Sequence, residues 1–233
     1  MPDGQLAAEV ALATRALAAA GQSDLVWGHV SRRDPGGRGV WMKASGWGFE
    51  EVGPERVLLV SPEGKAMSGD GTPHLEFPIL TEIMAARSDV GAVVHTHGRA
   101  ATACLSRRSV ATALPRRGAL RRTRHSPLPL RAAGQRPLAR RLARRRTRHR
   151  RRVPDARTWL GHAGGDLAEA VMYAVLLERA CRTQLDALAA GGPARWSDPA
   201  AVAQKRQETW SVRQLHAGYA YLCRLTEAGG TAR

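Results

Sequence analysis

Residues 107 to 157 hold 19 of the 36 basic residues of this 233-residue chain and one of its 20 acidic residues, Asp155. The window has no aromatic residue, repeats Arg-Arg pairs, and keeps neither a period of 2 nor one of 3.6. A segment of that composition buries little apolar surface, so disorder or poor packing is expected there. Any core must therefore be built from the residues on either side. Those carry 17 basic and 19 acidic residues, a net charge of 17 − 19 = −2, although the whole chain is +16. The positive charge thus belongs to one segment and not to the fold. It would attract RNA or DNA non-specifically, but no aromatic residue is interleaved for base stacking.

Outside the window the texture is that of an ordinary domain. Leu6 to Ala20 is Ala-rich, with Leu6, Val10, Leu12 and Leu17 spaced for an amphipathic helix that Gly21 ends. Leu25 to Ser31 and Gly39 to Lys43 read as two strands of a hairpin around the turn residues Asp34-Pro35-Gly36-Gly37. Val57 to Val60 is a short buried strand, and Pro78 to Arg87 has helical spacing. Val90 to Val94 is a second apolar strand, and a helix follows over Ala100 to Leu105. Leu167 to Leu188 and Ala200 to Leu225 read as long helices. Helices alternating with short strands predict an α/β layered domain. A single domain over 1–233, interrupted at 107–163, is the expected organisation.

Chemistry concentrates where the second apolar strand ends, in His95-Thr96-His97-Gly98. Side chains two apart on a strand share a face, so both imidazoles can reach one metal ion, and neutral imidazole suits zinc and its neighbours. Glu76, nineteen residues upstream in Pro73-His74-Leu75-Glu76-Phe77-Pro78, adds a carboxylate as proton-transferring base or further ligand. Cys104, Cys181 and Cys223 form no CxxC pair, which points to a reducing, cytoplasmic setting and away from a cysteine metal site. The first residues show no signal-peptide pattern, and no apolar run approaches the ~20 residues of a membrane span.

Taken in order, several stretches resemble the class II aldolase/adducin family, the group that includes L-fuculose-phosphate aldolase. Trp27-Gly28-His29-Val30-Ser31-Arg32 is similar to its G-N-x-S loop, and Lys43-Ala44-Ser45-Gly46 to its T-P-S-G segment. Val57 to Gly64, Pro73 to Glu76, and Asp89 to His97 resemble its strand, its glutamate motif and its His-x-His signature. The resemblance implies a three-layer α/β/α fold around a mainly antiparallel, nine-stranded-type sheet, and a homotetramer. It implies a divalent metal, usually zinc, held by His95, His97 and a third histidine from a later N-H-G motif. The metal would act as a Lewis acid on a small hydroxycarbonyl substrate, with Glu76 moving a proton as an enediolate forms. Gly28, Ser31, Ser45 and Gly46 would line the substrate pocket.

Three departures qualify that expectation. The two serines that precede the glutamate in the family's sugar-phosphate aldolases are His74 and Leu75 here, which weakens the case for a phosphorylated sugar. The asparagine of the G-N-x-S loop is His29; it and His74 are expected to be pocket or surface residues rather than ligands. The N-H-G motif is missing: its histidine should fall near Thr158, and His162 is the nearest substitute, though out of place. Compensating frameshifts near residues 107 and 163 of GC-rich DNA would explain both the arginine excess and the lost motif. A catalytically inactive adducin-like member, a sugar-phosphate 4-epimerase or decarboxylase, and a basic nucleic-acid-binding protein stand beside the aldolase reading.

Overall fold

A computed structural model describes residues 2–106, 160–192, 202, 204 and 211–229. The expectations for the arginine-rich window, for Thr158 and for the first part of the predicted helix beginning at Ala200 lie outside the described residues. The chain forms two compact units. The first comprises Met1–Thr96, Gly161–Val175 and His216–Arg233, and the second His97–Leu160 and Leu176–Leu215.

The first unit opens with α1 (Asp3–Ala19), whose Leu6, Val10, Ala13 and Leu17 are buried. Gly21, at φ +73°, ends it: the Gly21 N–H donates to Ala18 O and the Gln22 N–H to Leu17 O, a helix stop that favours glycine. Strands β1 (His29–Arg33), β2 (Val40–Lys43), β3 (Val57–Val60), β4 (Ala66–Ser68), β5 (Ala92–Thr96) and β6 (Leu160–Gly164) form one six-stranded sheet in the order β4-β3-β2-β1-β5-β6. The β1–β2, β1–β5, β2–β3 and β3–β4 pairings are antiparallel. Every residue of β2, β3 and β5 is buried, so side chains on both faces are covered. That is why these strands are continuous apolar runs rather than alternating ones. Helix α2 (Phe77–Ala86) buries Ile79, Leu80, Ile83 and Met84, as its spacing predicts.

Two expectations for this unit are corrected. The first strand starts at His29 and not at Leu25. Leu25 is in the left-handed region at φ +52°, the Trp27 N–H donates to Asp24 O in a local turn, and Gly28 has φ +78°. Residues 25–28 are therefore a coiled approach to the strand, and Leu25 and Trp27 stay exposed. Strand β6 has no counterpart among the predicted elements. Leu-Gly-His-Ala-Gly carries no periodicity, and pairing supplies the order instead: the Gly91 N–H, just before β5, donates to Gly164 O at 2.9 Å.

The buried carboxylate of Asp34 anchors the hairpin. It accepts from the Arg38 N–H at 3.1 Å, from Arg38 Nε and Nη2 at 3.0 and 2.8 Å, and from Trp41 Nε1 at 2.9 Å. The Arg38 guanidinium holds its carboxyl well below the usual carboxylate range. The helices α4 (Leu167–Ala189) and α5 (Val212–Glu227) contribute their ends to this unit, where Gly218 lies against Met172.

In the second unit, α3 (Arg99–Ser106) packs Ala100, Ala101 and Cys104 against Leu177 and Cys181 of α4. The Glu178 carboxylate accepts from the Ala100 and Ala101 N–H groups at 2.9 and 2.8 Å, satisfying two of the first-turn donors that a helix leaves open. A Cβ at Gly98 would meet Glu178 Oε2 at 2.5 Å, so the glycine after His97 makes room for this cap. Among the described residues, no helix is long and apolar enough to cross a membrane.

Candidate metal centre

Strand register places the first histidine pair. In the β1–β5 ladder His29 is the direct partner of His95, and residues opposite one another project to the same face. Their rings are 5.0 Å apart between centroids, tilted by 45°. Both residues are fully buried. His97 lies one residue beyond β5, at the start of the second unit, and is half-buried.

The segment before α2 brings in the carboxylate. Glu76 is the N-cap residue of α2, yet its side chain makes no capping hydrogen bond. Instead Glu76 Oε2 lies 3.1 Å from His95 Nε2. Two residues earlier, the His74 ring stacks at 4.8 Å from that of His29. His74 hydrogen-bonds to the Val26 backbone, while its buried Nε2 has no hydrogen-bond partner. Burial, and next the positive charge of Lys43, hold the His74 pKa below its ordinary value.

Two groups of ligand atoms result, each within 4.8 Å. One is Glu76, His95 and His97; the other is His29, His74 and Glu76. Imidazole nitrogens with one carboxylate oxygen are the donor set that zinc-like ions take. His29 and His74, expected as pocket or surface residues, are buried parts of this wall. The signal for them is present in the sequence: two histidines at positions where the resembling family has asparagine and serine. The pairing that aims them is not.

The other predicted site residues take separate places. His162 is buried on β6, and burial, with His95 as a lesser cause, pushes its pKa down to about 4. It is in neither ligand group. The Ser31 hydroxyl is buried and donates to Val93 O at 3.2 Å across β1–β5. A Cβ at Gly28 would meet His95 O at 2.8 Å and the Phe49 ring at 3.0 Å. Ser45 is half-buried, with its N–H on Thr72 O at 2.9 Å, and Gly46 is exposed at φ +86°.

No sequence signal singles out Lys43. Fully buried, its ammonium donates to the carbonyls of Val26, Ala44 and Trp47 at 3.1, 3.4 and 2.7 Å, and lies 5.8 Å over the Phe49 ring. Burial pulls its pKa down to about 8. It ties the approach to β1 to the segment after β2.

Comparison with known proteins supplies the family context. The model of the class II aldolase and adducin N-terminal domain matches residues 8–185. The fold is similar to that of L-fuculose 1-phosphate aldolase from Glaciozyma antarctica PI12, with TM-score 0.70, 21% identity, and coverage of 97% of this chain and 89% of that one. An aldolase II superfamily protein from Pseudomonas syringae gives TM-score 0.75 at 22% identity, covering 99% and 95%. YgbL from Klebsiella pneumoniae, a candidate aldolase/epimerase/decarboxylase, gives TM-score 0.62 at 19% identity, covering 88% and 99%. At these identities the likeness establishes the fold.

Proposed function

Because the chain belongs to the class II aldolase and adducin family, we propose that it is a metal-dependent lyase that cleaves or rearranges a small hydroxycarbonyl compound by enediolate chemistry. The observation that carries this reading is the Glu76 carboxylate against His95, with His97 in the same ligand group. His95 and His97 are the proposed metal ligands, and His162 on the neighbouring strand is the candidate third. A divalent ion held there, zinc by donor type, supplies Lewis-acid stabilisation of negative charge on the substrate oxygen.

Glu76 takes and returns the proton. Its side chain turns to His95 rather than capping α2, which sets the carboxylate beside the proposed ligands, where a proton-transferring base is needed. Gly28, Ser31, Ser45 and Gly46 are proposed to shape the substrate side. His74 and Leu75 in place of two serines favour an unphosphorylated substrate. A cytoplasmic homo-oligomer, tetrameric like the family's enzymes, with one family domain over 1–233 interrupted at 107–163, completes the proposal. The arginine-rich window would then add only non-specific adhesion to nucleic acid.

Full-length protein loaded with zinc, cobalt or manganese tests the reading. The substrates are L-fuculose 1-phosphate and a panel of unphosphorylated hydroxycarbonyl compounds. Aldehyde release that chelator and His95→Ala both abolish is the expected result. Stereochemical inversion or CO2 release, followed by NMR, would reassign the reaction to epimerisation or decarboxylation. Metal-loaded protein inert toward the whole panel would support the inactive, adducin-like alternative.

A further inference from the structure

We infer that His29, His74 and Glu76 form a second divalent-cation site, built beside the His95–His97 pair and sharing its carboxylate. All three residues belong to the first unit, and their ligand atoms lie within 4.8 Å of one another. His29 and His74 are buried, and their rings are in contact at 4.8 Å.

The state of His74 argues for a ligand rather than a packing residue. With Nε2 unpartnered, the ring nitrogen that meets the Val26 carbonyl is Nδ1, which must carry the proton. The second nitrogen, Nε2, then presents a lone pair inside the protein. A backbone carbonyl that fixes the tautomer from behind is the usual support of a metal-bound imidazole. An unsatisfied buried nitrogen costs stability unless something occupies it, and a soft-to-borderline cation answers that need.

His29 is placed by register and not by chance rotation. Its position opposite His95 fixes its direction on the sheet face. Glu76 has two carboxylate oxygens, and one is 3.1 Å from His95 Nε2. A single carboxylate can therefore serve both sets, as bridging carboxylates do in paired-metal sites. The ligands fit zinc, cobalt(II) or a similar ion, not calcium or magnesium, which take oxygen donors.

The test uses full-length protein stripped with chelator and titrated with cobalt(II), whose visible absorption reports imidazole coordination. The His95→Ala/His97→Ala variant, checked for native circular dichroism, is expected to retain one equivalent of cobalt with a visible band. Adding His29→Asn and His74→Ser should abolish it. A folded His95→Ala/His97→Ala variant that binds no cobalt overturns the inference.

Zinc-soaked crystals of the unaltered protein, measured at the zinc absorption edge, decide the matter if that variant does not fold. An anomalous peak within about 2.3 Å of His29 and His74 nitrogens supports the site, and a peak only at His95 and His97 refutes it. Neither readout depends on turnover. Aldehyde release by the His29→Asn/His74→Ser variant tests the lyase reading separately.

Discussion

His29 and His95 stand directly opposite each other in the β1–β5 ladder, with their rings 5.0 Å apart. One strand therefore delivers the histidine of the His-x-His pair, and its neighbour delivers a histidine that the family motif does not contain. Glu76, 3.1 Å from His95, joins them from the start of α2. Two strands and one helix start thus converge on a single cluster of imidazoles and a carboxylate.

Glu76→Gln should keep the shape of the side chain while removing its basicity. Loss of a positioned general base costs about 10²–10⁴-fold in rate. On whichever hydroxycarbonyl compound is turned over, kcat for aldehyde release should fall by that amount. Unchanged kcat would assign the proton transfer to another group.

Gly28→Ala should be felt at the candidate metal centre. The residue sits at φ +78°, and an added Cβ would come within 2.8 Å of the His95 carbonyl. Left-handed strain plus backbone crowding costs on the order of 2 kcal/mol. We expect a lower thermal midpoint together with weaker cobalt binding, because relief of the clash moves the strand carrying His95. A normal midpoint and normal affinity would show that the loop yields instead.

Gln22 ties β5 to α4 inside the first unit. The Thr96 hydroxyl donates to Gln22 Oε1 at 3.0 Å, and Gln22 Nε2 donates to Ala174 O at 3.3 Å. Gln22→Leu leaves buried partners unsatisfied and should cost about 1–3 kcal/mol in urea denaturation. Because the two side chains act as a pair, Gln22→Leu combined with Thr96→Val should cost less than the sum of the single changes. Strict additivity would mean that the contact carries no coupling energy.

Asp34 makes stability depend on acid. Its folded-state pKa is depressed below 3.8, chiefly by Arg38 and against the effect of burial. The carboxylate's contribution is therefore fully present above pH 3.8 and is lost as the pH falls below it. Asp34→Asn should lower stability by about 2 kcal/mol near neutrality. In urea titrations the gap between variant and unaltered protein should narrow from pH 5 to pH 3. A gap that is constant with pH would place the effect in packing.

Much of the candidate centre is legible in the amino-acid sequence. The apolar run ending in His95-Thr96-His97 specifies a buried strand with a histidine at its end, and the spacing of Ile79, Ile83 and Met84 specifies the helix that Glu76 begins. The order of the motifs from Gly28 to His97 is enough to indicate the family, which the match over residues 8–185 establishes. These features are local, and local sequence controls strand alternation, helix periodicity and turn chemistry.

Pairing is beyond its reach. That His29 faces His95, that His74 turns its unpartnered nitrogen inward, and that Leu-Gly-His-Ala-Gly becomes a strand depend on partners tens of residues away. The buried Lys43 is placed partly in this way: its ammonium reaches the Val26 carbonyl before β1 as well as the neighbouring carbonyls of Ala44 and Trp47. The sequence by itself determined the order of the family motifs and most of the elements that bear the candidate ligands. Only the tertiary structure decided which of those residues meet, because contact between distant segments is set by sheet register and burial, and no local periodicity encodes either.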